Sequence, residues 1–344
     1  MKYTKLYESH NNYESSTLTS PIQLSYDHSH CHINYDYSKK YLTFLALENM
    51  EVSFTGTGLY YSLDYGHTWI EYINPVLVYK GDYIMFKGQM TPAGSTSASG
   101  SNLDQRGIGR FVCSGKFKAS GNIMSLLFGD NFIGQLSLSG KDCAFSNLFR
   151  SNINLISAKN IILPATTLSI ACYYGTFNSC SSLIDTPKLP AKTLSSECYR
   201  DMFSNCISLM EIPDDLTTAA TTLNTHCFAG MFIRTGITVA PLLPHMTLKS
   251  SCYLWMFYEC PNLISCILPA TTLVSACYNK MFYNCPKINY IKAMFTTTPS
   301  GSYTSEWVYG VPSTGTFVKN SSATWNVTGQ HGIPTGWTIE TASS

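Results

Sequence analysis

Charge is what this chain has least of. Only 12% of its 344 residues are Asp, Glu, Lys or Arg, and they nearly cancel to a net +1, where a typical domain is about a quarter charged. Arginine is scarcer still, occurring only at positions 106, 110, 150, 200 and 234. No basic stripe stands ready to displace counterions from phosphates, so no nucleic-acid partner is expected. Long apolar runs are missing too. No stretch approaches the roughly 18 apolar residues of a bilayer crossing, so no membrane span is expected. The start, Met1-Lys2-Tyr3-Thr4-Lys5, is followed by no apolar run and reads as neither a secretory nor a lipoprotein leader. The expectation is a protein that stays where it is made, leaves inside an assembly released by lysis, or has lost a leader.

What is abundant is aromatic and hydroxylic: 13% of residues are Phe, Trp or Tyr, and 23 are Tyr, alongside many Ser and Thr. The length suits two or three structural units rather than one core. Thirteen cysteines would suggest disulfides in a secreted protein, but the number is odd and most of them keep step with a repeat. They read as free thiols acting as small buried core residues.

That repeat decides the architecture. Its unit is L-P-A-x-T-L-x3-C-Y-x2-M-F-x2-C-x2-L. One copy runs through Leu189, Pro190, Leu194, Cys198, Tyr199, Met202, Phe203, Cys206 and Leu209. The copy 26 residues earlier has Leu163, Leu168, Cys172, Tyr173, Phe177, Cys180 and Leu183. Later copies carry Leu248, Cys252, Tyr253, Met256, Phe257, Cys260 and Leu263, then, 25 residues on, Leu273, Cys277, Tyr278, Met281, Phe282, Cys285 and Ile288. A degenerate copy with Leu223, Cys227, Phe228, Met231, Phe232 and Thr235 lies 29 residues after its predecessor, an insertion near Asp214 and Asp215. Phe145, Leu148, Phe149, Asn152 and Leu155 make a worn first copy, for six in all.

Apolar residues four apart (Leu194, Cys198, Met202, Cys206) predict a short amphipathic helix in each unit. A short strand such as 208–212, ended by Pro213, should follow. One unit cannot bury its apolar face alone, so neighbours must stack. The last small column reads Asn152, Cys180, Cys206, Thr235, Cys260, Cys285. Its side chains should bond the turn backbone of a neighbouring unit.

On these residues the chain resembles the BspA-type leucine-rich-repeat proteins of gut and oral bacterial surfaces, which also occur in phages of such hosts. The C-terminal stretch, Gly315-Thr316-Phe317-Val318-Lys319 and Gly332-Ile333-Pro334-Thr335-Gly336-Trp337, is similar to the usual ending of those proteins. The resemblance implies adhesion or receptor contact and no catalysis.

The expected fold is therefore mainly β with short helices, an N-terminal β-sandwich-like domain followed by a leucine-rich-repeat solenoid. Residues 1–39, polar and without period, form an anchoring arm. The β-sandwich-like domain occupies 40–130, with strands at 41–47, 50–55, 59–63, 68–73, 76–79, 82–87, 110–113 and 116–120 separated by turn residues at about ten-residue spacing. Residues 122–128 bridge into the solenoid, 131–290, and 291–344 form a C-terminal cap.

Three sites invite chemistry, and each has a plainer reading. Residues 62–69 match S-x-D-x-G-x-T-W, which resembles the Asp-box of sialidases; the residues themselves describe a turn made by Asp64 and Gly66 over Trp69. His28, His30 and His32, alternating beside Cys31, would share one side of an extended chain, but no second ligand pair accompanies them, so they read as polar arm. Cys227 follows His226 with no third partner for a nucleophilic dyad. No metal or other cofactor is expected.

The better contact candidates lie two residues beyond each strand Leu or Ile: Asp185, Glu211, Ser265 and Tyr290. They vary while the frame does not, as on a scaffold with a changeable surface. Tyr3, Tyr7, Tyr13, Tyr26, Tyr35 and Tyr37 are candidates for docking the arm, since tyrosine supplies area and a hydrogen bond together. The expected function is non-enzymatic adhesion. The arm would attach to other proteins of a phage virion or to another copy of the chain. The repeats would face a bacterial surface glycan or protein. A bacterial surface or secreted adhesin is the alternative, and a glycan-processing enzyme a second.

Overall fold

In the computed structural model, which describes residues 36–93 and 106–342, the eight strands expected before residue 121 all form. They are β1 (Leu42–Ala46), β2 (Met50–Phe54), β3 (Leu59–Ser62), β4 (Ile70–Glu71), β5 (Val76–Val78), β6 (Tyr83–Gly88), β7 (Phe111–Cys113) and β8 (Phe117–Asn122). Alternation of apolar and polar residues gives strands such as β2 and β7 one buried face, whereas both residues of β4 are exposed. A short helix, α1 (Ser125–Phe128), follows, with Ser125, Leu126 and Leu127 buried. Strand β9 (Leu155–Ile162) belongs to the first repeat, yet it pairs in parallel with β8.

Two sheets result, a six-stranded one in the order β4-β3-β6-β1-β8-β9 and a three-stranded one in the order β5-β2-β7. Phe44 of β1 and Phe86 of β6 meet Phe111 of β7 at 5.0 and 4.8 Å between ring centroids, so the sheets bury their inner faces against each other. Phe111 in turn stacks on Phe149 of the first repeat. One hydrophobic core runs from Leu42 to Trp337 without a break at residue 130.

The repeats correct two expectations. The segment with the four-residue period is not a helix but a chain of turns. Left-handed residues recur at every fourth position: Ala171, Gly175 and Ser179; Glu197, Asp201 and Asn205; Ser251, Trp255 and Glu259. A left-handed residue cannot continue a right-handed helix. Instead, alternate N–H groups leave the repeat altogether. Glu197, Tyr199, Asp201, Phe203 and Asn205 donate to the carbonyls of Thr225, Cys227, Ala229, Met231 and Ile233 in the next repeat, at 2.7 to 3.1 Å. The residues between them donate three positions back, as Met202 does to Tyr199. The second correction concerns 208–212, which forms no strand. Regular strands return later as β10 (Ser265–Leu268), β11 (Tyr290–Ala293), β12 (Thr316–Lys319) and β13 (Thr338–Thr341), a four-stranded parallel sheet in sequence order.

Because each repeat hydrogen-bonds the next in register, its side chains form columns. Phe149, Phe177, Phe203, Phe232, Phe257 and Phe282 stack at 5.5 to 6.0 Å with interplanar angles of 2 to 10°. A second column runs Phe145, Tyr173, Tyr199, Phe228, Tyr253, Tyr278. Trp307 ends both: it packs on Tyr278 and Phe282, is fully buried, and donates its indole N–H to Gly332 O at 2.9 Å. One indole thus covers the end of two columns, a good reason for a Trp where the repeat frame stops.

The small column behaves as its composition suggested except at Thr235, whose hydroxyl donates to Phe232 O of its own repeat at 3.0 Å. The thiols of Cys180, Cys206, Cys260 and Cys285 donate to the carbonyls of Phe149, Phe177, Phe232 and Phe257, at 3.0 to 3.1 Å. Asn152 donates to Phe111 O at 3.3 Å. The twelve described cysteines are all buried and free of disulfides.

Candidate binding surfaces

Where the frame turns outward, the residue after each strand Leu or Ile is exposed: Ile184, Met210 and Ile264 are 53%, 57% and 44% exposed. Backbone bonds hold this position in line, from Thr238 N to Met210 O, Ile264 N to Thr238 O and Asn289 N to Ile264 O. Val239 and Ile267 add to the same face. An exposed strip, aliphatic at Ile184, Met210 and Ile264 and interrupted by Thr238, therefore lies along the repeats. Inspection of the sequence for contact residues missed it, although an apolar residue directly after the strand Leu recurs in four of the six copies.

The expected contact residues lie beside this strip, in different circumstances. Glu211 is exposed. Ser265 and Tyr290 are half-buried cross-strand partners on β10 and β11, and Thr316 and Thr338 continue their row. Asp185 is already committed. Its carboxylate accepts from Ser157 Oγ at 2.7 Å and from the N–H groups of Ala158 and Lys159 at 2.7 and 2.9 Å, clasping the second repeat to β9.

The other chemical candidates sort themselves by geometry. In the 62–69 turn, Asp64 accepts from Ser62 Oγ, Thr68 N and Thr68 Oγ1 at 2.7, 2.9 and 2.6 Å. These bonds, Thr68's first, hold its carboxyl down at about 2. Tyr65 and Gly66 are left-handed, and Gly66 lies over the Trp69 indole. Every polar group of the motif serves the turn. Burial pushes the thiol of Cys227 up to about 12, so it is no nucleophile beside His226 at neutral pH. His28, His30, Cys31 and His32 lie outside the described residues, as do Tyr3, Tyr7, Tyr13, Tyr26 and Tyr35. Tyr37 falls in a 3-10 turn, Tyr37–Lys39, packed beside β8 and β9.

On another edge of the repeats, Tyr258, Tyr283 and Tyr309 stack at 4.8 Å. Ion pairs join neighbouring repeats there, Arg234 to Glu259 and Lys280 to Glu306. Their faces cover one another, so the stack reads as a brace between repeats rather than an open platform. No helix among the described residues is long and apolar enough to cross a membrane. No protein-family model, curated protein or solved structure matches the chain.

Proposed function

We propose that the chain is a non-enzymatic adhesion protein, its repeats forming a leucine-rich-type solenoid that presents one face to a bacterial surface ligand. The observation that carries this reading is the division of labour within each repeat. The Phe, Tyr and Cys columns are buried and nearly invariant, while the exposed aliphatic positions and the residues beside them, exposed Glu211 and half-buried Ser265 and Tyr290, vary. A strip of that character suits a protein surface better than a hydroxyl-rich glycan.

The experiment is binding of the fluorescently labelled chain to a panel of cultured gut and oral bacteria. Met210→Glu and Ile264→Glu, which place charge on the strip without touching the core, should lower binding by about tenfold or more. Unchanged binding by both would remove the strip from the ligand site. Placement on a phage virion, with residues 1–39 as the docking arm, belongs to the same proposal. Because Asp36 onward belongs to the compact unit Asp36–Ser344, removal of residues 1–35 should leave thermal unfolding unchanged and abolish incorporation into particles. Normal incorporation of the truncated chain would favour the bacterial-adhesin alternative.

A further inference from the structure

Away from the repeats, the two-sheet region carries a polar groove in two compartments. A cavity of about 720 Å³ opens between the β2–β3 turn, the chain leaving β6 and the chain approaching β7. A second, of about 530 Å³, is lined by Tyr60, Trp69, Lys87 and Asp130, and it shares Gly58 and Gln89 with the first.

Glycines shape this space. Gly56 and Gly109 meet backbone to backbone, and a Cβ on Gly109 would sit 2.6 Å from Gly56 N, so the floor admits no side chain. At the junction Gly58 is left-handed with nothing within 4 Å of its missing Cβ, which leaves the two compartments open to each other.

The polar groups differ between the compartments. In the smaller one Lys87 is paired with Asp130 at 2.8 Å, and Tyr41 donates to the same carboxylate at 2.8 Å. The pair is electrically neutral but offers both donors and acceptors beside the exposed ring of Tyr60, while the Lys87 ammonium itself covers the Trp69 ring at 4.4 Å. In the larger compartment Arg110 is fixed by its backbone, its N–H donating to Thr55 Oγ1 at 2.9 Å and Thr55 N donating to its carbonyl at 3.0 Å. Its guanidinium has no hydrogen-bond or ion-pair partner among the described residues. The Gln89 amide at the junction is likewise unpartnered among them.

From this arrangement we infer that the groove binds an acidic oligosaccharide, with a sugar ring against Tyr60 and a carboxylate on Arg110. Aromatic rings cover the apolar face of a pyranose, and a neutral acid–base pair with an amide matches neighbouring hydroxyls that both give and accept hydrogen bonds. An unpaired guanidinium on a backbone held in place can take a carboxylate in bidentate fashion. The two connected volumes hold more than one ring. Nothing in the inference depends on the repeat face.

The test is calorimetric titration of the full chain with 3′-sialyllactose and trigalacturonic acid, against lactose and maltotriose as neutral counterparts. At least one acidic probe should bind about tenfold or more tightly than its counterpart. Arg110→Gln should erase that preference, and Tyr60→Ala should weaken acidic and neutral probes alike. Both variants are checked for unchanged thermal unfolding. Met210→Glu should leave the titration unchanged, which separates this groove from the repeat face. The inference is overturned if no acidic probe binds, if Arg110→Gln keeps the preference, or if inorganic sulfate competes at the saccharide's own affinity, which would mark a bare anion site.

Discussion

The two-sheet region and the repeats are built on the same ring, phenylalanine, packed in opposite ways. Around Phe44 the neighbouring rings are tilted or edge-on, at 43 to 77°. From Phe149 to Phe282 each ring lies nearly parallel to the next, at 2 to 10°. In the sheets every core position is a distinct environment, made once. In the repeats each position is a translated copy, so a favourable contact recurs and so does any cost. The left-handed residues are such a cost, about 1–3 kcal/mol for each non-glycine. Interrepeat hydrogen bonds and stacked rings must offset it in every copy.

The largest expected effect tests whether the regions fold as one. Phe203→Ala removes a fully buried ring stacked on both sides and should cost about 3–5 kcal/mol. The Phe111–Phe149 stack and the β8–β9 pairing join the regions, so scanning calorimetry should show one transition, lowered as a whole. Two separable transitions, with only one moved, would mean that the sheets and repeats are independent domains. Phe44→Ala, in the tilted cluster, should lower the same transition.

Glycines sharpen the comparison. Gly230 is left-handed, and a Cβ there would sit against Asp201 Oδ1 of the preceding repeat. Burial already raises the Asp201 carboxyl above its ordinary range. Gly58, in the sheets, is also left-handed but faces open space. Gly58→Ala should therefore cost about 1–2 kcal/mol, the conformational penalty alone. Gly230→Ala should cost more, and Asp201→Ala in the same chain should recover the excess. Equal costs at the two sites, measured by denaturant unfolding, would contradict the close approach between repeats.

The same contrast governs what the residues disclosed in advance. Strands β1 to β8 were legible because alternation is a local signal and turn residues punctuate it. The repeat register was legible because copies align. The turn chain was not, because Leu194, Cys198, Met202 and Cys206 satisfy a helical period while the backbone does something else. A partial trace lay in the residues between, where Asn147, Gly175, Asp201 and Gly230 begin one left-handed column that Trp255 and Lys280 complete, and Asn205 and Asn284 stand in another. Asparagine, aspartate and glycine tolerate or favour left-handed backbone. The commitment of Asp185 to β9 could not be foreseen, since it depends on which backbone N–H groups β9 leaves free.

A smaller effect is expected in the thiol column. Cys206→Ala removes the donor to Phe177 O and should cost about 0.5–1.5 kcal/mol for the bond, with Cys206→Ser recovering part of it. Burial pushes the thiols of Cys172 and Cys260 up to about 12. Iodoacetamide at pH 7.5 should therefore modify neither in the folded chain and both once it is unfolded. Modification of the folded protein at the unfolded rate would show that the columns open.

The smallest expected effect concerns the degenerate repeat and the start of the copy after it, where pH enters. His245 is buried, with Nε2 facing Ala220 O at 2.8 Å and Nδ1 facing the Tyr253 hydroxyl. The carbonyl can only accept, so Nε2 carries the proton and Nδ1 accepts from tyrosine. Protonation of Nδ1 would turn that acceptor into a second donor in a site closed to water. Burial accordingly lowers the imidazole below its ordinary value, only partly opposed by the Ala220 carbonyl. His226, half-buried near Arg200, is lowered for the same main reason. Below about pH 6.5 the unfolded chain then binds more protons than the folded one, and stability falls as pH falls through that range. Thermal unfolding measured from pH 7.5 to 5.5 should show a decline that is smaller in His245→Gln. Tyr253→Phe, which removes the partner hydroxyl, should cost more at pH 7.5 than Tyr199→Phe, whose hydroxyl has no partner in the protein. A pH profile identical in wild type and His245→Gln would mean that this histidine titrates as freely in the fold as in the unfolded chain.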